Sequence, residues 1–103
     1  MTNKDTIYIG LNDKDSKKQL IKNKQAMELV NSVVLRYADG CSLYSGKGTY
    51  KHNDNSIVKE NSLQLILYGV LEETVRSICN EVKAVLNQES VIWQSEVVNS
   101  VFV

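Results

Sequence analysis

The order in which the hydrophobic period changes along this chain is the feature that most constrains its fold. Residues 6–11 place Ile7 and Ile9 two positions apart, which is the period of a β-strand. Residues 24–37 carry apolar side chains at helical spacing, and we expect Asn23 to cap this helix. Two strand-like segments, a second helical segment and a final strand-like segment follow. The chain is therefore predicted to have the order β-α-β-β-α-β.

The second half of this pattern is defined by a turn and by a second apolar stripe. Residues 41–52 and 57–68 are predicted to form a β-hairpin around residues 53–56, because Asn and Asp favour turns. Residues 72–86 are predicted to be helical, and residues 90–103 to form one long bent strand or two short ones. The predicted inner stripes are Ala26, Met27, Val30, Val33, Val34 and Tyr37 in the first helix, and Val75, Ile78, Val82 and Val85 in the second.

This order predicts a ferredoxin-like α+β domain, with one antiparallel sheet and both helices on one of its faces. The 103 residues suit a single domain over 1–103, and we expect residues 1–5 and about 12–22 to be flexible. The second face of the sheet has no helix to cover it, and the C-terminal segment VVNSVFV is apolar. Together these features predict a homo-oligomer.

Charge and composition narrow the expected partners. Twelve Lys and Arg residues balance twelve Asp and Glu residues, so no excess charge attracts DNA, RNA or an anionic membrane. No apolar run approaches the roughly 18 residues of a membrane span, and we expect a cytoplasmic protein. Cys41 and Cys79 fit no metal or redox spacing, and His52 is the only histidine. We therefore predict no metal, no cofactor and no catalytic residue.

The segment SGKGTYK, residues 45–51, resembles a phosphate-binding loop only superficially. Such a loop has four residues between its first glycine and Gly-Lys-[Ser/Thr], and it joins a strand to a helix. Here five residues separate Gly40 from Gly46, and Gly48 stands where Ser or Thr is needed. The segment also lies inside a predicted strand. Nucleotide hydrolysis at this segment is therefore not predicted.

The glycines of this segment predict a notch in the sheet instead. In an extended strand Tyr44, Gly46, Gly48 and Tyr50 point to one face, so two missing side chains lie between two aromatic rings. Glycine within a strand marks either a bulge or the close approach of another group. Two interpretations follow: a bulge or a neighbouring subunit's backbone at this position, or a notch that binds a ligand.

Further candidates come from residue types that stack on a base or hold a phosphate, although the same types are common at protein interfaces. Gln88 and Glu89, between the second helix and the last strand, are candidates for a subunit junction. The candidate ligand-binding residues are Tyr8, Arg36, Tyr44, Gly46, Lys47, Gly48, Tyr50 and Trp93.

Several short segments, taken in order, resemble a small family of unknown function from bacteria and phages. The matching segments are IYIGL at residues 7–11, RYADG at 36–40, GTY at 48–50, IVKE at 57–60 and QESV at 88–91. The chain departs from the family pattern at the turn 53–56, where Asp-Gly is commoner, and at Tyr50, where Trp is frequent. The resemblance implies a ferredoxin-like α+β domain. It carries no established activity, so no catalytic residue is transferred.

Three functional hypotheses follow. The first is a non-enzymatic oligomer that binds a small ligand, and the occurrence of the resembling family in phages suggests a sponge that sequesters a nucleotide-derived immune signal. The second is a protein-binding inhibitor or adaptor that uses a sheet edge or the uncovered face. The third is an enzyme of the dimeric α+β-barrel type, which the lack of a concentrated acid–base set disfavours.

Overall fold

The computed structural model describes residues 1–51 and 53–103, and its elements follow the predicted order β-α-β-β-α-β. Four antiparallel strands form one sheet in the order β2-β3-β1-β4. The predicted ferredoxin-like α+β fold is confirmed. The elements are β1 (Thr2–Gly10), α1 (Asn23–Leu35), β2 (Ser42–Lys51), β3 (Ile57–Tyr68), α2 (Glu72–Val85) and β4 (Ile92–Val98).

One face of the sheet, which we call the covered face, packs against both helices. Residues directly opposite each other in an antiparallel pair point to the same face. Ile7 lies opposite Leu65 on β3 and Trp93 on β4, so all three belong to the covered face. The core between this face and the helices consists of Ile7, Ile9, Leu63, Leu65 and Leu67 with Ala26, Val30, Val33, Val34, Val75, Ile78, Cys79 and Val82, closed at its ends by Leu11 and Leu86.

The opposite face, which we call the open face, has no helix over it. It carries the alternate residues of each strand, so Tyr8 lies opposite Gln64 and Ile92. Large side chains are exposed here, between 47% and 62% for Tyr44, Tyr50, Tyr68 and Ile92. Exposed aromatic and aliphatic side chains on one face are typical of a surface that takes a partner or ligand.

The first helix differs from the prediction at both ends. Asn23 is its first residue rather than its cap, because the Asn23 Oδ1 accepts a hydrogen bond from Gln19 Nε2 at 2.7 Å instead of capping a helical amide. The helix ends at Leu35, so Tyr37 is not part of its inner stripe. Tyr37 is 39% exposed and its hydroxyl donates to the carboxylate of Glu81 on α2.

The second helix and the first strand each shift by a small amount. Val85 is 41% exposed and therefore does not belong to the inner stripe, whereas Cys79, at 7% exposed, is buried with it. β1 begins at Thr2, four residues earlier than predicted, because Lys4 and Asp5 continue the pairing with β3 and β4. β4 is one short strand, and the last residues of the chain lie outside it.

A buried carboxylate joins β1 to β4 on the covered face. Asp5 is 3% exposed and its Oδ1 accepts a hydrogen bond from Trp93 Nε1 at 2.8 Å. The guanidinium carbon of Arg76 lies 5.2 Å from the centroid of the Trp93 ring, within range of a cation–π contact. Hydrogen bonding and packing thus orient the tryptophan towards the helices.

Neither helix of the described chain, at 13 and 14 residues, reaches the length and apolarity of a membrane span.

Candidate functional site

The strand that carries SGKGTYK contains no bulge. Every residue of β2 pairs with a residue of β3 in unbroken register, so the bulge interpretation of the glycines is wrong. A Cβ added at Gly46 would lie 3.5 Å from Ser62 Oγ, and one at Gly48 would lie 3.8 Å from the Glu60 carbonyl oxygen. These are ordinary contact distances. Crowding within the chain therefore does not require either glycine.

The crowded glycine of the open face is Gly10. A Cβ at this position would lie 2.7–2.8 Å from the carboxylate atoms of Glu60, since the Glu60 side chain crosses from β3 over the end of β1. The backbone amide of Asn12 donates to Glu60 Oε2 at 2.9 Å. Gly10 thus makes room for a carboxylate that the chain itself holds in position.

A cavity of about 590 Å³ lies beside this carboxylate. It occupies the end of the open face where β1 and β2 end and β3 and β4 begin, and two loops form its rim. Residues of the sheet that line it are Tyr8, Ile9, Gly10, Tyr50, Val58, Glu60, Ser62 and Ile92, and residues of the loops are Asn12, Asp13, Lys14, Lys17, Gln88, Glu89 and Ser90. The cavity is therefore walled by aromatic rings on the sheet and by charged groups on the loops.

Five of the eight candidate ligand-binding residues lie on the open face, and two of the five line the cavity. The five are Tyr8, Tyr44, Gly46, Gly48 and Tyr50. Tyr8 and Tyr50 belong to the cavity wall. The predicted notch between Tyr44 and Tyr50 thus borders the cavity without being part of it. The role of these residues in binding stays a prediction.

The other three candidates do not reach the open face. Lys47 alternates with the two glycines and lies opposite Asn61 on the other side of the sheet. Trp93 belongs to the covered face. Arg36 follows α1 in the helix layer, where its guanidinium forms an ion pair with Glu81. A single ligand in the cavity would not contact all eight residues at once.

Sequence reasoning missed the charged half of the cavity. Glu60 appears in the IVKE segment, where strand alternation with Val58 places it on the open face, but no role was predicted for it. Lys14 and Lys17 lie in the stretch that we expected to be flexible, and the structure places both on the cavity rim. Gln88 and Glu89, our candidates for a subunit junction, also line it.

Ionisable groups elsewhere are held in ordinary structural roles. The hydrogen bond from Tyr37, together with Arg36, holds the pKa of the Glu81 carboxyl below its usual value, and the same hydrogen bond raises the pKa of Tyr37. Burial raises the pKa of the Cys41 and Cys79 thiols, which disfavours the thiolate that a nucleophile needs. Within residues 1–51 and 53–103, no three His, Cys, Asp or Glu side chains cluster as a metal site would require, and the predictions for His52 lie outside these residues.

Residues 4–102 match the model of a protein family described as a protein of unknown function (DUF3574). The chain belongs to this family. The resemblance to a family of unknown function is thereby confirmed across nearly the whole length. None of the curated proteins matches this DUF3574 chain by sequence.

Solved structures of other proteins share the fold of this DUF3574 chain. A phage SAM lyase in complex with S-methyl-5′-thioadenosine is 24% identical, with a TM-score of 0.72 over 92% of this chain and 80% of the lyase chain. The apo state of a phage SAM lyase gives a TM-score of 0.72 over 91% and 78% of the two chains, at 24% identity. The periplasmic divalent cation tolerance protein CutA from Archaeoglobus fulgidus is 14% identical, with a TM-score of 0.61 over 96% and 87%. At these identities the similarity establishes the fold.

Proposed function

We propose that this chain binds an adenosine thioether or sulfonium, with S-methyl-5′-thioadenosine and S-adenosylmethionine (SAM) as the ligands to test. The observation that carries the proposal is the similarity of 92% of the chain, at a TM-score of 0.72, to a phage SAM lyase that holds S-methyl-5′-thioadenosine. The proposal keeps the small-ligand hypothesis drawn from the sequence and replaces its nucleotide signal with a nucleoside.

The size and lining of the cavity support a ligand of this class. Its volume of about 590 Å³ falls within the roughly 300–1,000 Å³ that is usual for small-molecule sites. Tyr8 and Tyr50 line it, and tyrosine rings stack readily on an adenine base. Ser62 and Gln88 add a hydroxyl and an amide to the wall. The cavity therefore combines aromatic surface with the few polar groups that orient a nucleoside.

Glu60 supplies a fixed negative charge at the same place. Its carboxylate lies over Gly10 in the cavity region and accepts a hydrogen bond from the Asn12 amide. None of the ion pairs of the described chain includes Glu60. A sulfonium carries a permanent positive charge, whereas a thioether carries none. Attraction between unlike charges makes Glu60 favour the sulfonium of SAM over the thioether.

We extend the proposal to a homo-oligomer that closes the cavity. A second copy placed on the open face would cover Tyr44, Tyr68 and Ile92, which are all more than half exposed. Phe102 and Val103 in the C-terminal segment are fully exposed, and Val101 is 83% exposed. Light scattering at micromolar concentration is expected to give a mass above that of one chain, 11.6 kDa. A mass of one chain would contradict this part of the proposal.

Two functions of such a site differ only in whether the bound ligand is cleaved. A sequestering protein holds its ligand unchanged, as in the sponge hypothesis, whereas a lyase cleaves it. The similarity to a phage SAM lyase favours cleavage of SAM as the second candidate function. A sulfonium leaves carbon with the bonding electrons as a neutral thioether, and the carboxylate of SAM itself can form the new C–O bond at that carbon and close a lactone, so this C–S cleavage needs neither a proton donor nor a base. The lack of a concentrated acid–base set therefore does not decide between the two uses.

Calorimetric titration with both ligands tests the proposal, and chromatography of SAM incubations separates the two uses. We expect saturable binding of SAM and of S-methyl-5′-thioadenosine. Glu60→Gln is expected to weaken SAM binding about tenfold and to change thioether binding little. Glu96→Gln is the control, because Glu96 lies on the open face beside Lys4, 3.8 Å from its Nζ, at the far end of the sheet.

The possible results assign the function clearly. Release of S-methyl-5′-thioadenosine from SAM selects the lyase, and binding without consumption selects sequestration. Absence of binding for both ligands would overturn the proposal and would return attention to the protein-binding hypothesis. An equal loss of affinity for both ligands in Glu60→Gln would show that Glu60 supports the cavity rather than the sulfonium.

A further inference from the structure

The loop on the rim of the cavity is built by its own side chains. Asp13 Oδ2 accepts hydrogen bonds from the amides of Asp15 at 3.0 Å and Ser16 at 2.9 Å. The backbone closes the same turn, since Lys17 N donates to Asp13 O and Asp13 N donates to Lys18 O, both at 2.8 Å. A carboxylate at the base of a turn fixes the turn by accepting from the amides that follow it. The positions of residues 13–18 are therefore set locally.

A second set of hydrogen bonds ties this loop to the segment after α2. Asn87 Nδ2 donates to Asp13 Oδ1 at 2.7 Å, and the Lys14 amide donates to Asn87 O at 3.0 Å. Gln88, which is 9% exposed, donates from Nε2 to Asn12 O at 2.8 Å. The Ser16 amide and the Asn87 side chain hold the pKa of Asp13 below its usual value.

The three lysines of this turn differ in whether they line the cavity. Lys14 and Lys17 line the cavity, while Lys18 in the same turn does not. Lys17 has a φ of 63°, which is uncommon for a residue with a side chain. Within the described chain, neither Lys14 nor Lys17 forms an ion pair with a carboxylate. Lys14 and Lys17 thus line the cavity without an ion-pair partner among the described residues.

The charged groups of the cavity come from two parts of the fold. Glu60 lies on the sheet beside Gly10, and the two lysines lie on the loop. Asp13 also lines the cavity, but the turn amides and Asn87 engage its carboxylate, and Glu89 stands on the opposite loop. A ligand with a cation near its centre and an anion on one arm would match this order.

We propose that Lys14 and Lys17 select ligands that carry a carboxylate on the arm beyond the sulfur, such as the amino-acid carboxylate of SAM. This rests on the proposed function, because it deepens the specificity of the same cavity. The lysines hold the carboxylate by charge-assisted hydrogen bonds while Glu60 faces the sulfonium. They are specificity-determining residues, and the tightly hydrogen-bonded turn keeps them in place before the ligand arrives.

A ligand pair that differs only in the carboxylate tests this inference. SAM and decarboxylated SAM share adenosine, sulfonium and amine, so comparison of the two isolates the carboxylate. The double variant Lys14→Gln/Lys17→Gln is expected to weaken SAM binding about tenfold and to leave decarboxylated SAM unchanged. Added salt is expected to weaken SAM binding to the unmodified chain more than to the double variant. Lys18→Gln is the matched control and is expected to change neither affinity.

The outcomes separate this inference from the proposed function. Equal affinity changes for both ligands in the double variant, or no change for SAM, would overturn the role of the lysines while binding of S-methyl-5′-thioadenosine upholds the nucleoside site. Failure of the unmodified chain to bind S-methyl-5′-thioadenosine and SAM would overturn both. A loss confined to SAM that Lys18→Gln does not reproduce supports the inference.

Discussion

The two faces of the sheet are made from the same strands and differ in what lies over them. Along β3, Leu65 is 0% exposed on the covered face, whereas Tyr68 is 53% exposed on the open face. The covered face is aliphatic, and its buried carboxylate Asp5 is paired with Trp93. The open face combines tyrosines, glycines and Glu60. Burial concentrates the folding energy on one face, so the other face is able to carry a site at small cost to stability.

The largest expected effect is on the free energy of unfolding, when two adjacent residues that point to opposite faces are each replaced by alanine. Leu65→Ala is expected to lower the free energy of unfolding by about 2–5 kcal/mol, because it leaves a cavity under the helices. Ile66→Ala, on the partly exposed side, is expected to cost about 1 kcal/mol. Urea denaturation at low protein concentration measures both. Similar losses for the two variants would show that the open face is as important to folding as the covered face.

The next effect concerns the notch beside the cavity. Tyr50→Ala is expected to weaken ligand binding or assembly by about 1–3 kcal/mol, through loss of a stacking surface. Gly48→Val should have the same consequence by filling the notch, while the chain still folds because a Cβ there meets only ordinary contacts. Titration and light scattering check both. If both variants keep native affinity and native assembly, the notch has no role in either.

A smaller effect on stability is expected at the crowded glycine. Gly10→Ala forces the Glu60 carboxylate to move, since the new Cβ would lie within 2.8 Å of it. We expect a loss of about 1 kcal/mol in stability from the broken hydrogen bond to Asn12, together with weaker SAM binding. Gly46→Ala is the control, because its Cβ lies 3.5 Å from Ser62 Oγ. Thermal unfolding and titration measure both variants. Equal losses of stability and SAM affinity in the two variants would contradict the special role of Gly10.

The smallest effect is a pH dependence of the loop beside the open face. The pKa of Asp13 is lowered from its usual value of 3.8, so its stabilisation is present above that value and is lost as pH falls through the lower folded value. Amide exchange of Ser16 should lose protection as the pH falls below 3.8. The amide of Leu65, in the covered sheet, is expected to stay protected. Unchanged protection of Ser16 at the acidic end would exclude this role of Asp13.

The fold was predictable from sequence because its pattern is local. Alternation in β1 and β3 and the helical stripes depend on neighbouring residues, and most of the predicted core is buried as expected. The errors fell at ends, where Asn23 bonds with Gln19 and Tyr37 reaches Glu81 beyond α1. Both errors arise from contacts with residues outside the helix. The hydrophobic period of a helix carries no information about such contacts.

The site was predictable only in part, because it depends on which strands become neighbours. Alternation placed Tyr50 and Gly48 on one face correctly, but Trp93 was assigned to the site although its register with Ile7 turns it to the helices. The contact of Glu60 with Gly10 joins residues far apart in the chain and exists only because β3 pairs with β1. The sequence alone does not give the register in which the strands pair, so it does not specify such a contact.

The position of the tryptophan has a spectroscopic consequence. Trp93 is the only tryptophan, and its hydrogen bond to Asp5 fixes it on the covered face. Four of the five tyrosines, Tyr8, Tyr44, Tyr50 and Tyr68, lie on the open face. Tryptophan emission therefore reports the melting of the helix layer, while tyrosine emission reports events on the uncovered surface. A single untagged sample thus carries two optical probes, one for each face of the sheet.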